Sequence, residues 1–238
     1  MLLTAVALIR IEQRQDTTVI SFARPPANAF NLELTEELHA RLDELAARVP
    51  AGGVVVTGEG RTFSGGVDFK VVPGYTPDQR ARMIGHINAC ITTLYGLPTA
   101  TVAAVNGHAI GGAFVVMLAC DARLAADTDA KLGLTEVTAG IPYPACPMEV
   151  VKVEIEPSYR RHLVLTGEII SPRVAHTRGL IDELVAPDDL LQRSVEVART
   201  RAAALSYARV KEQLKRDALA RMREIIAASS DPMLEHWV

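Results

Sequence analysis

The chain has 238 residues and a net charge of −3, from 25 basic and 28 acidic side chains, with 49% hydrophobic and 22% charged residues. This ordinary composition excludes disorder as the main state, and the length suits one large domain or one domain with a small appendage. The balanced charge and 5% aromatic content exclude an electrostatic nucleic-acid footprint and a platform for stacked bases.

Three cysteines, Cys90, Cys120 and Cys146, form no CxxC pair. Neither a disulfide framework nor a cysteine zinc site is expected, and a reducing, cytoplasmic location is. The opening MLLTAVALIR lacks a basic leader region. No apolar run reaches the roughly 18 residues of a membrane span.

In chain order, residues 4–11 and 17–22 read as two strands joined by the polar turn EQRQD. A proline-marked loop, ARPPANAFN, follows. From Leu32 to Val49 the pattern is helical, with Leu34, Leu38, Leu42, Leu45 and Val49 on one face and Asn31 as its cap. VVVT (54–57) is a buried strand, and the strand–helix–strand order predicts a right-handed parallel crossover. Then come a glycine-rich loop (58–70), a helix from about Asp78 to Leu94, and a buried strand, TATVAAV (99–105). The segment 106–121 starts as a glycine-rich turn and continues as a helix apolar on all sides, the mark of an element inside a domain. Short strands are expected at 122–126 and 131–133, helices at 146–155, 158–166 and 172–179, and a strand at 180–187. Helices fill the rest. Alternating strands and helices make the class α/β. The division is a core over 1–187 and a C-terminal helical module over 188–238.

Two strand-to-helix glycine loops carry the functional signal. Glycine lets backbone amides approach a ligand, and a helix start adds partial positive charge. Gly65 and Gly66, before Val67, form one loop; Gly111 and Gly112 form the other. Neither matches a nucleotide motif. By themselves these glycines could be tight turns; converging, they could hold an oxyanion.

Four ordered segments resolve the choice. RTFSGGVDFK and AVNGHAIGGAFVVMLACDARLAADTDAKLGLTE resemble the two signatures of the enoyl-CoA hydratase/isomerase (crotonase) superfamily. PPANAFNLELTEEL and LTGEIISPRVAHTRGLIDELV resemble its N-terminal and post-site segments. The resemblance covers about residues 4–190. It implies a crotonase-like spiral of ββα units closed by C-terminal helices, assembled as a homotrimer or a dimer of trimers. It places an oxyanion hole at the amides of Val67 and Gly112, for the carbonyl of an acyl-CoA thioester. Ser64, Gly65, Gly66, Asp68 and Gly111 would line the coenzyme A path. Coenzyme A enters with the substrate, so neither a separate cofactor nor a metal is implied.

The fold does not choose the reaction; the side chains must. Hydratases of the family carry two glutamates. Here the first position is Val115, which cannot move protons, and the second is Glu136. One carboxylate and two amide donors are the minimum for a 1,3-proton shift, so the pattern resembles 3,2-trans-enoyl-CoA isomerases. The competing readings are a hydratase using Glu149 or a bound water chain, another crotonase hydrolase or lyase reaction, and a non-catalytic acyl-CoA-binding paralogue. His86, Val115, Tyr143 and Cys146 are candidate acyl-pocket walls. Asp68 is expected to bind loop amides. Arg160, Arg161, Lys211, Lys215 and Arg216 are expected on solvated helix faces, one of them available to the coenzyme A phosphates. Trp237 would fold back on the pocket or lie free.

Overall fold

The computed structural model describes residues 7–229, 231 and 234–236. The first two strands form an antiparallel hairpin, β1 (Ile9–Arg14) and β2 (Thr17–Phe22). The turn shrinks to Gln15 and Asp16, with Gln15 at φ 59°, so most of the polar EQRQD stretch is strand. Residues 4–6 and Trp237 lie outside the described residues.

The rest follows a repeat. Each unit has one strand in a large sheet, one in a small sheet, and a helix: β3 (Val54–Gly58), β4 (Thr62–Ser64) and α2 (Pro77–Gly96); β5 (Thr101–Val105), β6 (His108–Ile110) and α3 (Gly112–Ala119); β7 (Ala122–Ala126), β8 (Leu132–Gly133) and α4 (Glu136–Ala139). The hairpin with α1 (Leu32–Ala47) opens the series, and β9 (Glu183–Val185) closes the large sheet, whose order is β1-β2-β3-β5-β7-β9. From β2 onward the large sheet is parallel, as is the small sheet β4-β6-β8. This is the expected crotonase spiral. Two strands and one helix went unread in the sequence. β4, β6 and α4 are three or four residues long, too short to show a period.

Five-residue β3, β5 and β7 are buried throughout, because both sheet faces are covered. Val54, Val56, Ala103, Val105 and Ala125 face the main core. Val55, Val102, Ala104, Ala122 and Leu124 face the opposite way, onto Leu190, Val195 and Ala198 of α8 (Leu190–Ala202). The main core centres on α3, where Ala113 through Ala119 are all buried. Helices α5 (Ala145–Glu154), α6 (Pro157–Thr166), α7 (Pro172–Thr177) and α9 (Tyr207–Ala227) complete the shell, α9 lying on α2 and α5. The sequence pattern of α1 holds for Leu34, Leu38 and Leu42, whereas Val49 falls beyond the helix and is exposed. Asn31 caps α1 by accepting from the Leu34 amide at 3.0 Å.

Lys211 and Lys215 depart from expectation. They are buried, not solvated, and both ion-pair with Asp121, at 2.7 and 2.6 Å. Nothing in the sequence marked Asp121 as their counter-ion, since it lies some ninety residues away.

Candidate active site

The PPANAF loop holds the first glycine loop in place. The Gly65 amide donates to the Ala27 carbonyl at 2.8 Å, and Phe30 bridges to Val67 as in a parallel ladder. The Asn28 side chain donates to the carbonyls of Glu59 and Thr62 at 3.0 and 2.8 Å. Its own backbone sits at φ 50°, which asparagine tolerates better than most residues. Ser64 donates to the Asn28 carbonyl at 2.7 Å and accepts from the Gly66 amide at 3.1 Å. Asp68 accepts from the Lys70 amide at 3.0 Å and ion-pairs with Arg24 at 2.7 Å. Both side chains therefore shape the loop itself.

The second glycine loop lies directly against the first. Gly66 has φ +76°, and a Cβ there would meet the Ile110 carbonyl oxygen at 2.4 Å and lie 3.7 Å from the Gly112 nitrogen. Gly111 has φ +57°; its amide donates to Gly133 of β8 at 2.8 Å. That bond brings the chain after β8 onto the start of α3. A Cβ on Gly111 would lie 3.3 Å from Oε1 of Glu136. Only glycine fits both places.

Val67, Gly112, Val115 and Glu136 line one largely apolar cavity of about 40 Å³, with Phe30, Leu38, Ile87, Cys90, Ile91, Val116 and Ile141 among its other walls. Gly112 is the first residue of α3, so its amide has no partner within that helix. Glu136 is the only charged group among the described residues of the wall. It is 5% exposed, and burial pushes its carboxyl up to about 7. Such a group accepts a proton near neutral pH and can also give it back. Free amides beside a base in an apolar cavity can hold a developing oxyanion while a proton moves.

Three of the four expected wall residues face elsewhere. His86 places Nδ1 3.0 Å from Nδ1 of His39, on the α1–α2 contact, and its neighbours Ile87, Cys90 and Ile91 take the cavity. Cys146 is turned toward Asn88 and α9, its amide donating to Asn88 Oδ1 at 3.1 Å. Helical direction decides both, and the sequence does not reveal it. Val115 lies in the wall as expected; Tyr143 does not, and lines instead a neighbouring groove, its hydroxyl interacting with Glu136 from behind, because the turn after α4 directs its ring away from the cavity. Glu149 stands in a separate groove, ion-paired with Lys152 at 2.7 Å and Arg221 at 2.6 Å. Burial alone would raise its carboxyl, but these cations hold it below the usual range. Asn28 and Arg24 are the supporting residues that sequence reasoning missed; an asparagine between alanines in a proline-rich loop was their one signal.

The enoyl-CoA hydratase/isomerase family model matches residues 12–236. The chain belongs to that family. Probable enoyl-CoA hydratase EchA17 of Mycobacterium tuberculosis is 30% identical over 184 residues, spanning 76% of this chain and 69% of that protein. Among solved structures, human mitochondrial delta3-delta2-enoyl-CoA isomerase superposes with a TM-score of 0.85 at 25% identity, over 94% of this chain and 89% of that one. Probable enoyl-CoA hydratase EchA3 of Mycobacterium tuberculosis also gives 0.85 at 25% identity, over 93% and 94% of the two chains. The family therefore includes similar proteins of both named reactions. Among the described residues, no helix is long and apolar enough to cross a membrane.

Proposed function

We propose that this enoyl-CoA hydratase/isomerase family member converts 3-enoyl-CoA to trans-2-enoyl-CoA. The observation that carries the reading is the single carboxylate, Glu136, in a cavity whose other candidate position is Val115. In this mechanism the thioester oxygen accepts hydrogen bonds from the amides of Val67 and Gly112. Glu136 takes the proton from C2. The C2–H electron pair moves into the dienolate, which the two amides stabilise. The resulting glutamic acid returns the proton to C4, and the double bond settles between C2 and C3. Atoms balance without water or a redox partner. A carboxyl near pKa 7 serves both transfers, because base and acid forms are each populated at neutral pH.

Ser64, Gly65, Gly66, Asp68 and Gly111 form the backbone path for coenzyme A in the same proposal. The C-terminal module from 188 onward would build a homotrimer, singly or as a dimer of trimers. Exposed Leu205, Val210 and Leu214 on and before α9 support an association surface there.

The test is 3-hexenoyl-CoA in heavy water, read by mass and by the position of the double bond. Wild type should yield the trans-2-enoyl thioester without added water, and Glu136→Gln should lose activity by at least about a thousandfold. The names of the hydratase relatives favour a second reading, hydration of a 2-enoyl-CoA. Addition of water to that substrate, with 3-hexenoyl-CoA untouched, would replace the isomerase reading. Glu149 would need to abandon two cations to act as the second carboxylate, which supports isomerisation.

A further inference from the structure

Behind Glu136, two buried polar atoms lack hydrogen-bond partners: Oε2 of Glu136 and the hydroxyl of Tyr143. Tyr143 is 8% exposed. Leaving either atom bare costs stability, because a buried polar atom has given up its water. The two are complementary, since an ionised carboxylate only accepts and a phenol can donate. They already interact: the phenol favours the ionised carboxylate, and the carboxylate disfavours ionisation of the phenol. The contact nevertheless falls outside a formed hydrogen bond. Hydrogen bonds at catalytic centres are often long before substrate binds and tighten on the complex.

We propose that Tyr143 is the positioning residue of the site, donating its phenol proton as a hydrogen bond to Oε2 of Glu136 and orienting the carboxylate toward the cavity. The mechanism above uses Glu136 alone, and the inference rests on that choice of base, not on which reaction follows. Tyr143 does not take the proton itself. Burial, and then the Glu136 charge, push its phenol above its ordinary range, so it remains a donor wherever Glu136 is ionised.

The backbone amides of Glu136 and Thr135 also favour the ionised carboxylate, but among the described residues no second charged side chain lines the cavity. Across the cavity, the Cys90 thiol of α2 is raised by burial and stays protonated. On the α6 side, Gly167 packs on Val137 and Thr138. In the groove beyond Tyr143, Glu149 is already paired with Lys152 and Arg221.

Tyr143→Phe removes one oxygen and keeps the ring. With 3-hexenoyl-CoA, kcat should fall about tenfold, the worth of one charge-assisted hydrogen bond, while KM changes little. The acid limb of the pH profile should move up by about one pH unit. A second readout needs no turnover. Difference infrared spectra against the matching Glu136→Gln proteins follow the Glu136 carboxyl directly, and its titration should shift upward by the same amount in Tyr143→Phe. A third readout needs no Tyr143 variant, so it stands even if that variant does not fold. The Tyr143 C–O stretch should move as Glu136 titrates in wild type and stay still in Glu136→Gln. An unmoved infrared titration in folded Tyr143→Phe overturns the proposal, even if kcat falls, because a packing role would do the same. A Tyr143 stretch blind to Glu136 overturns it too. If the infrared shift appears but 3-hexenoyl-CoA is not isomerised, the reaction assignment fails and the role of Tyr143 stands.

Discussion

In the proposed reaction, Glu136 is the residue where function and stability oppose each other. Its carboxyl is raised from 4.5 to about 7, because burial penalises the charged form. The folded state therefore binds this proton more tightly than the unfolded state does. Below about pH 4.5 the group is protonated in both states and has no effect. As pH rises from there through 7, folding must accept a buried charge, and stability on the order of 3 kcal/mol is lost. Glu136→Gln should therefore match wild type near pH 4.5 in denaturant unfolding and exceed it by up to about that amount at pH 8. Equal stabilities at both pH values would mean that the carboxyl is better solvated than its burial implies. Glu136 was legible in sequence as the candidate base from its place in a motif. Its environment was not, because the carboxyl is buried by Ile141, Gly111 and the α3 start, which are brought together only by the β6–β8 pairing.

At the scale of elements, the site is the place where three short pieces meet: the PPANAF loop, the β4–Val67 loop and the start of α3. Gly66 is the contact point, with both a positive φ and a carbonyl in the space of its missing Cβ. Gly66→Ala should separate the two loops. The expected result is a destabilisation of about 2–3 kcal/mol and a much larger loss in kcat than in substrate affinity. Thermal unfolding and steady-state kinetics on one preparation would check both. Retained kcat would show that the amides of Val67 and Gly112 need not be held so close. The large strands and long helices were readable from their periods, as with Leu34, Leu38 and Leu42. Of the small-sheet strands β8 was read but β4 and β6 were not, since three residues carry no period and their pairing is decided by distant partners.

Across the whole molecule, one buried acid anchors the last helix. Asp121 ion-pairs with Lys211 and Lys215, accepts from Tyr207 at 3.1 Å, and accepts from the Thr101 amide at 3.0 Å. Lys215 also lies 3.9 Å from the Tyr95 ring centroid, tying α9 to α2. Asp121→Ala would strand two ammonium groups in the core, at a cost of about 3–5 kcal/mol, read as a lower denaturant midpoint. Burial by itself would raise the Asp121 carboxyl, but the two lysines outweigh it and hold it below the ordinary carboxylate range. The stabilisation is therefore complete above the ordinary value and is lost as pH falls below about 4. Acid unfolding that begins with α9, followed by hydrogen exchange, is the expected signature. Uniform exchange across the chain at low pH would count against it.

Sequence alone determined the family and the two glycine loops and singled out Glu136 as the candidate base, because each is written in local residue types at close spacing; the ββα order came only with the resemblance to the family. The sequence also marked the absence of a second acid at Val115. Tertiary structure decided which side chains meet across long separations. It turned His86 and Cys146 away from the cavity, locked Glu149 between cations and buried Lys211 and Lys215 on Asp121. It also set Tyr143 behind Glu136. The physical reason is direction: a residue's helical face and its burial depend on elements far away in the chain, and those contacts exist only once the spiral has closed.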